Sequence, residues 1–200
     1  MSQRDETQAA PVDGRVMRGA RNRAFIMDAI FELVQEGETM PAAEQVAQRA
    51  GVGTRTVFRH FDDMESLFVE MQARLEREVR PLIDGPPIEG DFEERLRAVL
   101  ARRARIFERI RPFRRASNYS RVRTKMMEEG PVEFDRVMRA QLASVFATEL
   151  KGQPEDRTEA LDLVASFEAW DRLRGAQRLG RERAQRVMED AVRAVLDARE

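Results

Sequence analysis

The sequence has no cysteine and a single histidine, His60. Without cysteine there is no disulfide, no thiolate metal ligand and no cysteine nucleophile. One histidine excludes a metal site built from several histidines and leaves any serine triad a single candidate base. The GxGxxG and GxxxxGK[ST] loops that cradle nucleotide phosphates are missing as well. We therefore expect no catalytic residue, no metal, no cofactor and no enzymatic activity.

Long apolar runs are also missing. The longest stretch without a charge, residues 140–148, has nine residues, whereas a membrane-spanning helix needs about 20. The N-terminus lacks the apolar segment of a signal peptide. The 35 lysines and arginines nearly balance the 36 aspartates and glutamates, giving a net charge of −1, which argues against an overall basic nucleic-acid binder. A cytoplasmic protein with no membrane contact is expected.

Alternation of apolar and polar residues, the pattern of a strand, does not occur in the sequence. Prolines and glycines instead separate segments in which apolar residues recur at helical spacing. We predict an all-α fold of about nine helices, preceded by a flexible polar and basic arm at residues 1–18. The predicted helices cover residues 20–36, 42–49, 54–60, 63–80, 91–111, 113–127, 131–151, 155–178 and 181–198.

Two short helices joined by a glycine-containing turn, at residues 41–61, match the helix-turn-helix pattern. Ala47 is small enough to let the two helices approach closely, and Gly51 suits the positive φ of the turn. Val57 and Phe61 are expected to face inward. The other side chains of the second helix are hydroxyls, guanidinium groups and rings, the types that meet phosphates and base edges. They are Thr54, Arg55, Thr56, Phe58, Arg59 and His60.

This motif resembles the DNA-binding domain of the tetracycline-repressor (TetR) family of transcriptional regulators. The similar residues are Gln45-Val46-Ala47, Arg49-Ala50-Gly51-Val52, Thr56-Val57-Phe58-Arg59-His60-Phe61 and Glu65-Ser66-Leu67. The detailed resemblance covers about residues 20–70, and the remainder matches in length and helical build. It implies a helix-turn-helix DNA-binding domain at residues 19–62 and an effector-binding and dimerisation domain at residues 63–200. It also implies a homodimer that binds a double-stranded DNA operator.

Three positions depart from the family pattern. Phe58 stands where the family usually has tyrosine, which removes a hydroxyl directed at phosphate. Met64 replaces a frequent lysine, and Pro41-Ala42 replaces the usual threonine or serine that caps the first helix of the motif. These departures weaken the expected phosphate anchoring without changing the expected fold.

Arginines upstream of the motif are candidates to compensate. Four of them supply a charge of +4 within nine residues, with no acid between them: Arg15, Arg18, Arg21 and Arg23. We expect Arg18 and Arg21 to reach a phosphate or the minor groove. The alternative is a solvated arm that makes no specific contact.

Polar residues interrupt two apolar stripes of the predicted middle helices. They are Arg103, in the stripe from Phe92 to Phe113, and Gln141, in the stripe from Phe134 to Val145. An unpaired buried guanidinium costs several kcal/mol, so Arg103 must meet an acid, a ligand or solvent. The resemblance implies a small-molecule effector of unknown identity among these helices. Its candidate pocket residues are Arg103, Phe107, Tyr119 and Gln141; an internal salt bridge or a groove-edge position is the alternative for the polar pair.

Charge is sorted along the second half of the chain. Residues 95–125 hold twelve basic side chains and one acid, Glu108, whereas residues 154–171 hold six acids and one base, Arg157. A basic pocket for an anionic effector is one interpretation. Mutual neutralisation between neighbouring helices is the other, and it is favoured.

The last two predicted helices carry more apolar residues than a small protein is expected to bury. Such a surface is typical of an interface between subunits, where two helices from each copy form a four-helix bundle. The candidate interface residues are Phe167, Trp170, Val187, Met188, Ala191 and Val195. Placement in the core of a single chain is the alternative for some of them.

The sequence thus favours a ligand-responsive, DNA-binding transcriptional regulator, a repressor that binds a pseudo-palindromic operator as a dimer. Two other classes remain open: a helical interaction module that has lost DNA binding, and a helical enzyme that works through carboxylates. The second requires two acids facing one another in a pocket, and the sequence does not locate such a pair.

Overall fold

The computed structural model describes the backbone of residues 14–119 and 125–197, and the side chains of residues 17–116 and 133–197. Every regular element in these ranges is helical, which confirms the all-α prediction. Apart from the single turn α7, nine α-helices are described, the number predicted. The elements are α1 (Gly14–Gln35), α2 (Ala43–Ala50), α3 (Thr54–His60), α4 (Met64–Ile83), α5 (Phe92–Tyr119), α6 (Lys125–Val145), α7 (Ala147–Leu150), α8 (Glu155–Val164), α9 (Phe167–Asp171), a π-helical turn (Arg172–Ala176) and α10 (Arg181–Asp197).

The chain divides into two compact units, Met1–Met71 and Gln72–Glu200, with the division inside α4. In the first unit, α1 packs on α2 and α3. Its fully buried side chains come from each helix at the spacing expected for an inward face: Ile26, Ile30, Val34, Val46, Val57 and Leu67. None of the described helices is long and apolar enough to cross a membrane.

The second unit is built around α5, which packs against α6, α9 and α10. Its buried stripe follows the predicted one: Leu96, Val99, Ile106, Ile110 and Phe113. The largest fully buried side chain, Trp170 of α9, lies against Phe107 of α5, with ring centroids 6.3 Å apart. Helices α5, α6, α9 and α10 therefore form the core of the second unit.

Proline and glycine positions misled the prediction of two helix ends. The sequence predicts a break at Pro112, but α5 continues through it to Tyr119. Proline inside a helix costs about 3 kcal/mol; burial of Ile110, Phe113 and Ala116 on the same stripe offsets that cost. Likewise α6 begins at Lys125, six residues before the predicted start at Pro131.

Two further boundaries differ from the prediction. The first helix begins at Gly14, so Arg18 belongs to α1 and not to a flexible arm. The predicted helix 155–178 is interrupted between α8 and α9, where Ser166 Oγ accepts a hydrogen bond from Ala169 N at 3.1 Å. Serine is a favoured N-cap residue, because its oxygen satisfies a free N–H of the new helix.

Candidate nucleic-acid interface

The turn between α2 and α3 is set by Gly51, which has φ = 67°. This left-handed conformation suits glycine, and it directs Val52 N to Ala47 O at 3.0 Å, closing the end of α2. At the start of α2, Ala42 offers no capping oxygen. Gln45 Oε1 nevertheless accepts a hydrogen bond from Ala42 N at 2.7 Å, so half of a capping box remains.

Helix α3 presents one apolar side and one polar side. Val57 is buried in the core, as is Phe61 just after the helix. Arg55, Phe58 and Arg59 are exposed on the opposite side, where residues three and four apart are neighbours. Thr54 and Thr56 are half-buried at its flanks. Arg55, Phe58 and Arg59 therefore share the exposed side of α3, with Thr54 and Thr56 at its flanks.

The two arginines of this face differ from Arg49, the arginine near the end of α2. Neither Arg55 nor Arg59 has an ion-pair partner among the described residues. By contrast, Arg49 at the end of α2 pairs with Glu36 of α1, with its Nη2 2.7 Å from Glu36 Oε2. Phe58, with 47% of its surface exposed, belongs to the same side of α3. This is a basic, partly apolar surface free to meet another molecule.

His60 is oriented differently from the rest of α3. Its ring lies against the bare backbone of Gly19 in α1, where an added Cβ would be 3.8 Å from Cε1. Its Nε2 is buried and has no hydrogen-bond partner in the described residues. Burial lowers the pKa of His60, and the nearby charges of Arg59 and Arg23 lower it further. This geometry favours a neutral ring that packs between helices.

Arg23 holds the end of α3 against α1. Its Nη1 donates to His60 O at 2.6 Å, its guanidinium forms an ion pair with Glu70 of α4, and it lies 4.4 Å from the centroid of the Phe61 ring. Glu70 was not singled out in the sequence, because nothing local marks it as the partner of a residue 47 positions earlier. Arg18 and Arg21 are exposed on α1.

The stability of this domain should fall as the pH drops through about 6.5, the ordinary pKa of histidine. His60 has a lowered pKa in the folded state, so the unfolded chain binds the proton first and is favoured at acidic pH. The loss cannot exceed about 1.4 kcal/mol per pH unit for one proton. Urea unfolding at pH 7.5, 6.5 and 5.5 measures it. The His60→Gln variant should show a shallower dependence, and an equal dependence in both proteins would contradict the buried neutral ring.

The pocket candidates lie in the second unit. Arg103 is 1% exposed, and it donates to Ala165 O at 2.8 Å and to Met138 O, while its Nε has no partner in the described residues. Burial lowers the pKa of its guanidinium to about 10, against the opposing charges of Asp162 and Asp135. Thus no carboxylate is hydrogen-bonded to Arg103 in the described region.

The other pocket candidates are placed as follows. Gln141 Nε2 donates to Ile83 O at 2.9 Å, and its Oε1 is buried without a partner in the described part of the chain. Phe107 is buried edge-on to Phe167, with ring centroids 5.8 Å apart. The side chain of Tyr119 lies outside the described residues. Arg103 and Gln141 thus each leave one buried polar atom unsatisfied, on neighbouring helices.

Five of the nine basic side chains described between residues 95 and 116 form ion pairs with acids of other helices. Arg111 and Arg114 pair with Asp171 and Glu168 of α9, from the predicted acidic segment. Further pairs are Arg95 with Glu149, Arg109 with Glu78, Arg115 with Asp171 and Arg114 with Asp135. This arrangement supports mutual neutralisation, the favoured interpretation of the charge pattern.

The predicted interface residues divide into two groups. Phe167, Trp170 and Met188 are buried inside the chain and pack in its own core. Ala191 and Val195 are half-buried, and Val187 is 39% exposed. The most exposed large apolar side chain of this region is Leu163 of α8, at 69%. For the buried group the structure favours the alternative, placement in the core of a single chain, since helical spacing shows that a face is apolar and not what covers it.

Known proteins resemble this chain at two levels, a family match over the helix-turn-helix segment and structural matches over most of its length. Residues 26–71 match the model of the bacterial regulatory proteins of the tetR family. A transcriptional regulator from Rhodococcus sp. Rha1 has a similar structure, with a TM-score of 0.62, 18% identity and coverage of 89% of this chain and 95% of that one. A TetR transcriptional regulator from Rhodococcus sp. RHA1 has a TM-score of 0.50, 18% identity and coverage of 92% and 100%.

A search of curated proteins found no match. At 18% identity the two solved structures establish the fold. The family match covers residues 26–71, which contain the C-terminal part of α1, all of α2 and α3, and the start of α4. Over residues 26–71, the chain is thus similar to the tetR family of bacterial regulatory proteins.

Proposed function

We propose that the protein is a ligand-responsive repressor that binds a pseudo-palindromic operator as a homodimer. The observation that carries the proposal is the exposed face of α3, where Arg55 and Arg59 have no ion-pair partner in the described residues. Two exposed guanidinium groups without an ion pair on a recognition helix are suited to phosphates or guanine edges. Helix α3 would enter the major groove, with the two half-sites of the operator about one helical turn apart.

The proposed contact set comprises the outward face of α3 and the exposed arginines of α1. On α3 these are Thr54, Arg55, Thr56, Phe58 and Arg59, and on α1 Arg18 and Arg21. His60 is proposed to position α3 by packing on α1, since its ring lies against Gly19. The test is binding of the purified chain to DNA from upstream of its own gene.

The proposed dimer face lies on α8 and α10, which pack on one another. Leu163 and Val187 expose apolar surface there, and Ala191 and Val195 border it. Two copies of this helix pair would bury that surface in a four-helix bundle. The proposed face would be held in place by three buried side chains of the core, Phe167, Trp170 and Met188.

Replacing Leu163 by aspartate should raise the dimer dissociation constant by at least about tenfold. Burying one leucine contributes about 1.5–3 kcal/mol, and in a twofold interface the change occurs in both copies. Sedimentation velocity at several protein concentrations measures the shift towards monomer. Ala98→Asp, which adds the same charge at an exposed position of α5, is the matched control. Equal oligomeric states in both variants would place the interface elsewhere.

The proposed effector site lies between α5 and α6, around Arg103 and Gln141. Its support is the pair of unsatisfied buried atoms, Arg103 Nε and Gln141 Oε1. Buried polar atoms are usually hydrogen-bonded, and orphans of this kind are often satisfied by water or a ligand. A ligand there would regulate DNA binding only if it binds the operator-competent and operator-incompetent conformations with different affinity.

A further inference from the structure

Gly175, in the π-helical turn after α9, lies directly beneath two arginines of α5. A Cβ added to Gly175 would be 2.6 Å from Nη2 of Arg115 and 3.2 Å from Nη2 of Arg111. The backbone of Gly175 does not adopt a positive φ, so glycine provides space here and not conformational freedom. The two guanidinium groups therefore converge above the bare backbone of a single residue.

The carboxylate of Asp171 forms ion pairs with both arginines. Asp171 Oδ1 accepts a hydrogen bond from Arg111 Nε at 2.7 Å and lies 3.2 Å from Arg115 Nε. Both contacts use Nε, and the Nη groups of the two side chains have no acceptor among the described residues. Arg111, Arg115 and Asp171 together thus keep one uncompensated positive charge, and the Nη2 atoms of both arginines lie close to Gly175.

The neighbouring contacts hold this cluster in place. Glu108 of α5 accepts hydrogen bonds from Arg174 Nε at 2.7 Å and from Trp170 Nε1 at 2.9 Å. Burial raises the pKa of the Glu108 carboxyl, but the hydrogen bonds from Arg174 and Trp170 outweigh it, and the pKa stays below its ordinary value. Glu108 therefore holds the π-helical turn against α5, about one helical turn before Arg111. Segments of π-helix are often found at functional sites.

The cluster is accessible to a ligand and partly shielded from water. The side chain of Arg111 is 20% exposed and that of Arg115 is 46% exposed. A charge-assisted hydrogen bond is stronger than a neutral one, and it gains further where the surroundings are partly dry. Planar guanidinium groups are also well matched to the paired oxygens of carboxylates and phosphates.

We propose that Arg111, Arg115 and Gly175 form a binding site for an oxyanion, the carboxylate or phosphate group of a small molecule. The anion accepts hydrogen bonds from the Nη groups of both arginines, which rest on the backbone of Gly175, while the Nε atoms of both arginines remain with Asp171. All of these residues belong to the unit Gln72–Glu200. The site is independent of the proposed DNA interface, so either proposal can fail without the other.

Calorimetric titration of the full chain tests the site, with inorganic phosphate and acetate as separate probes at constant ionic strength in chloride. At least one anion should bind saturably, and the tighter of the two identifies the group. Gly175→Ala should weaken that binding at least about tenfold, because the new methyl group pushes the two flexible guanidinium ends apart. Arg172→Gln, an exposed arginine of the same turn, should bind like the wild type.

Thermal unfolding of the same variants separates the binding role from a structural one. Gly175→Ala should leave the unfolding midpoint unchanged or raise it, because alanine favours a helix over glycine. The proposal is overturned if neither anion saturates the wild type. It is equally overturned if Gly175→Ala binds like the wild type, or if Arg172→Gln loses as much affinity as Gly175→Ala.

Discussion

Replacing Arg55 and Arg59 together by alanine is expected to lower operator affinity at least about 30-fold. A guanidinium that reads a base edge contributes about 1–3 kcal/mol of discrimination, so two such contacts per subunit amount to about 2–6 kcal/mol. The helix itself should persist, since both side chains are exposed and have no ion-pair partner in the described residues. Fluorescence anisotropy with labelled operator DNA measures the change.

A second double variant separates this contact from general electrostatics. Arg97→Ala with Arg105→Ala removes the same total charge from exposed positions of α5. It should bind the operator nearly as well as the wild type, with only the small loss expected from a lower net charge. Similar losses in the two double variants would mean that the α3 face has no special role.

Replacing Trp170 by alanine is expected to destabilise the second unit by about 3–5 kcal/mol, the usual cost of removing a buried tryptophan. The ring is 1% exposed, packs on Phe107 and donates through Nε1 to Glu108. Urea unfolding followed by circular dichroism measures the loss. If the variant loses less than about 1 kcal/mol, Trp170 does not lie in the core.

The Trp170→Phe variant distinguishes packing from hydrogen bonding. It keeps an aromatic ring against Phe107 but loses the Nε1 donor. Glu108 retains the hydrogen bonds from Arg174. The free energy of unfolding should therefore fall by about 1 kcal/mol, the contribution of a typical hydrogen bond. Equal losses for phenylalanine and alanine would assign the stabilisation to the Glu108 contact.

The part of the fold that follows from local sequence was predictable. Gly51 and Gly53 mark the turn before α3, and the α3 bounds, residues 54–60, agree with the structure. The outward face of this helix followed from Val57 as its inward residue. The periodicity of the α5 stripe, from Leu96 to Phe113, likewise predicted its buried side.

The features that sequence reasoning missed depend on partners far away in the chain. Proline 112 stays helical because buried neighbours on α5 offset its cost. Arg193 donates a hydrogen bond to Glu93, 100 positions earlier. Glu108, the sole acid of residues 95–125, accepts hydrogen bonds from Trp170 and Arg174. The sequence does indicate that Glu108 forms an ion pair, because a single acid within so basic a segment attracts cationic side chains. Its partners are decided by packing and not by spacing.

The most direct test of the central claim, that this chain regulates transcription by binding DNA through α3, is operator binding as a function of salt. The wild-type protein should bind DNA from upstream of its own gene at least about 1000-fold more tightly than scrambled DNA of equal length. With six or more phosphate contacts, its affinity should fall about 10³–10⁵-fold between about 50 and 200 mM salt. Equal affinity for the upstream and scrambled DNA, or no binding at the lower salt concentration, would contradict the account.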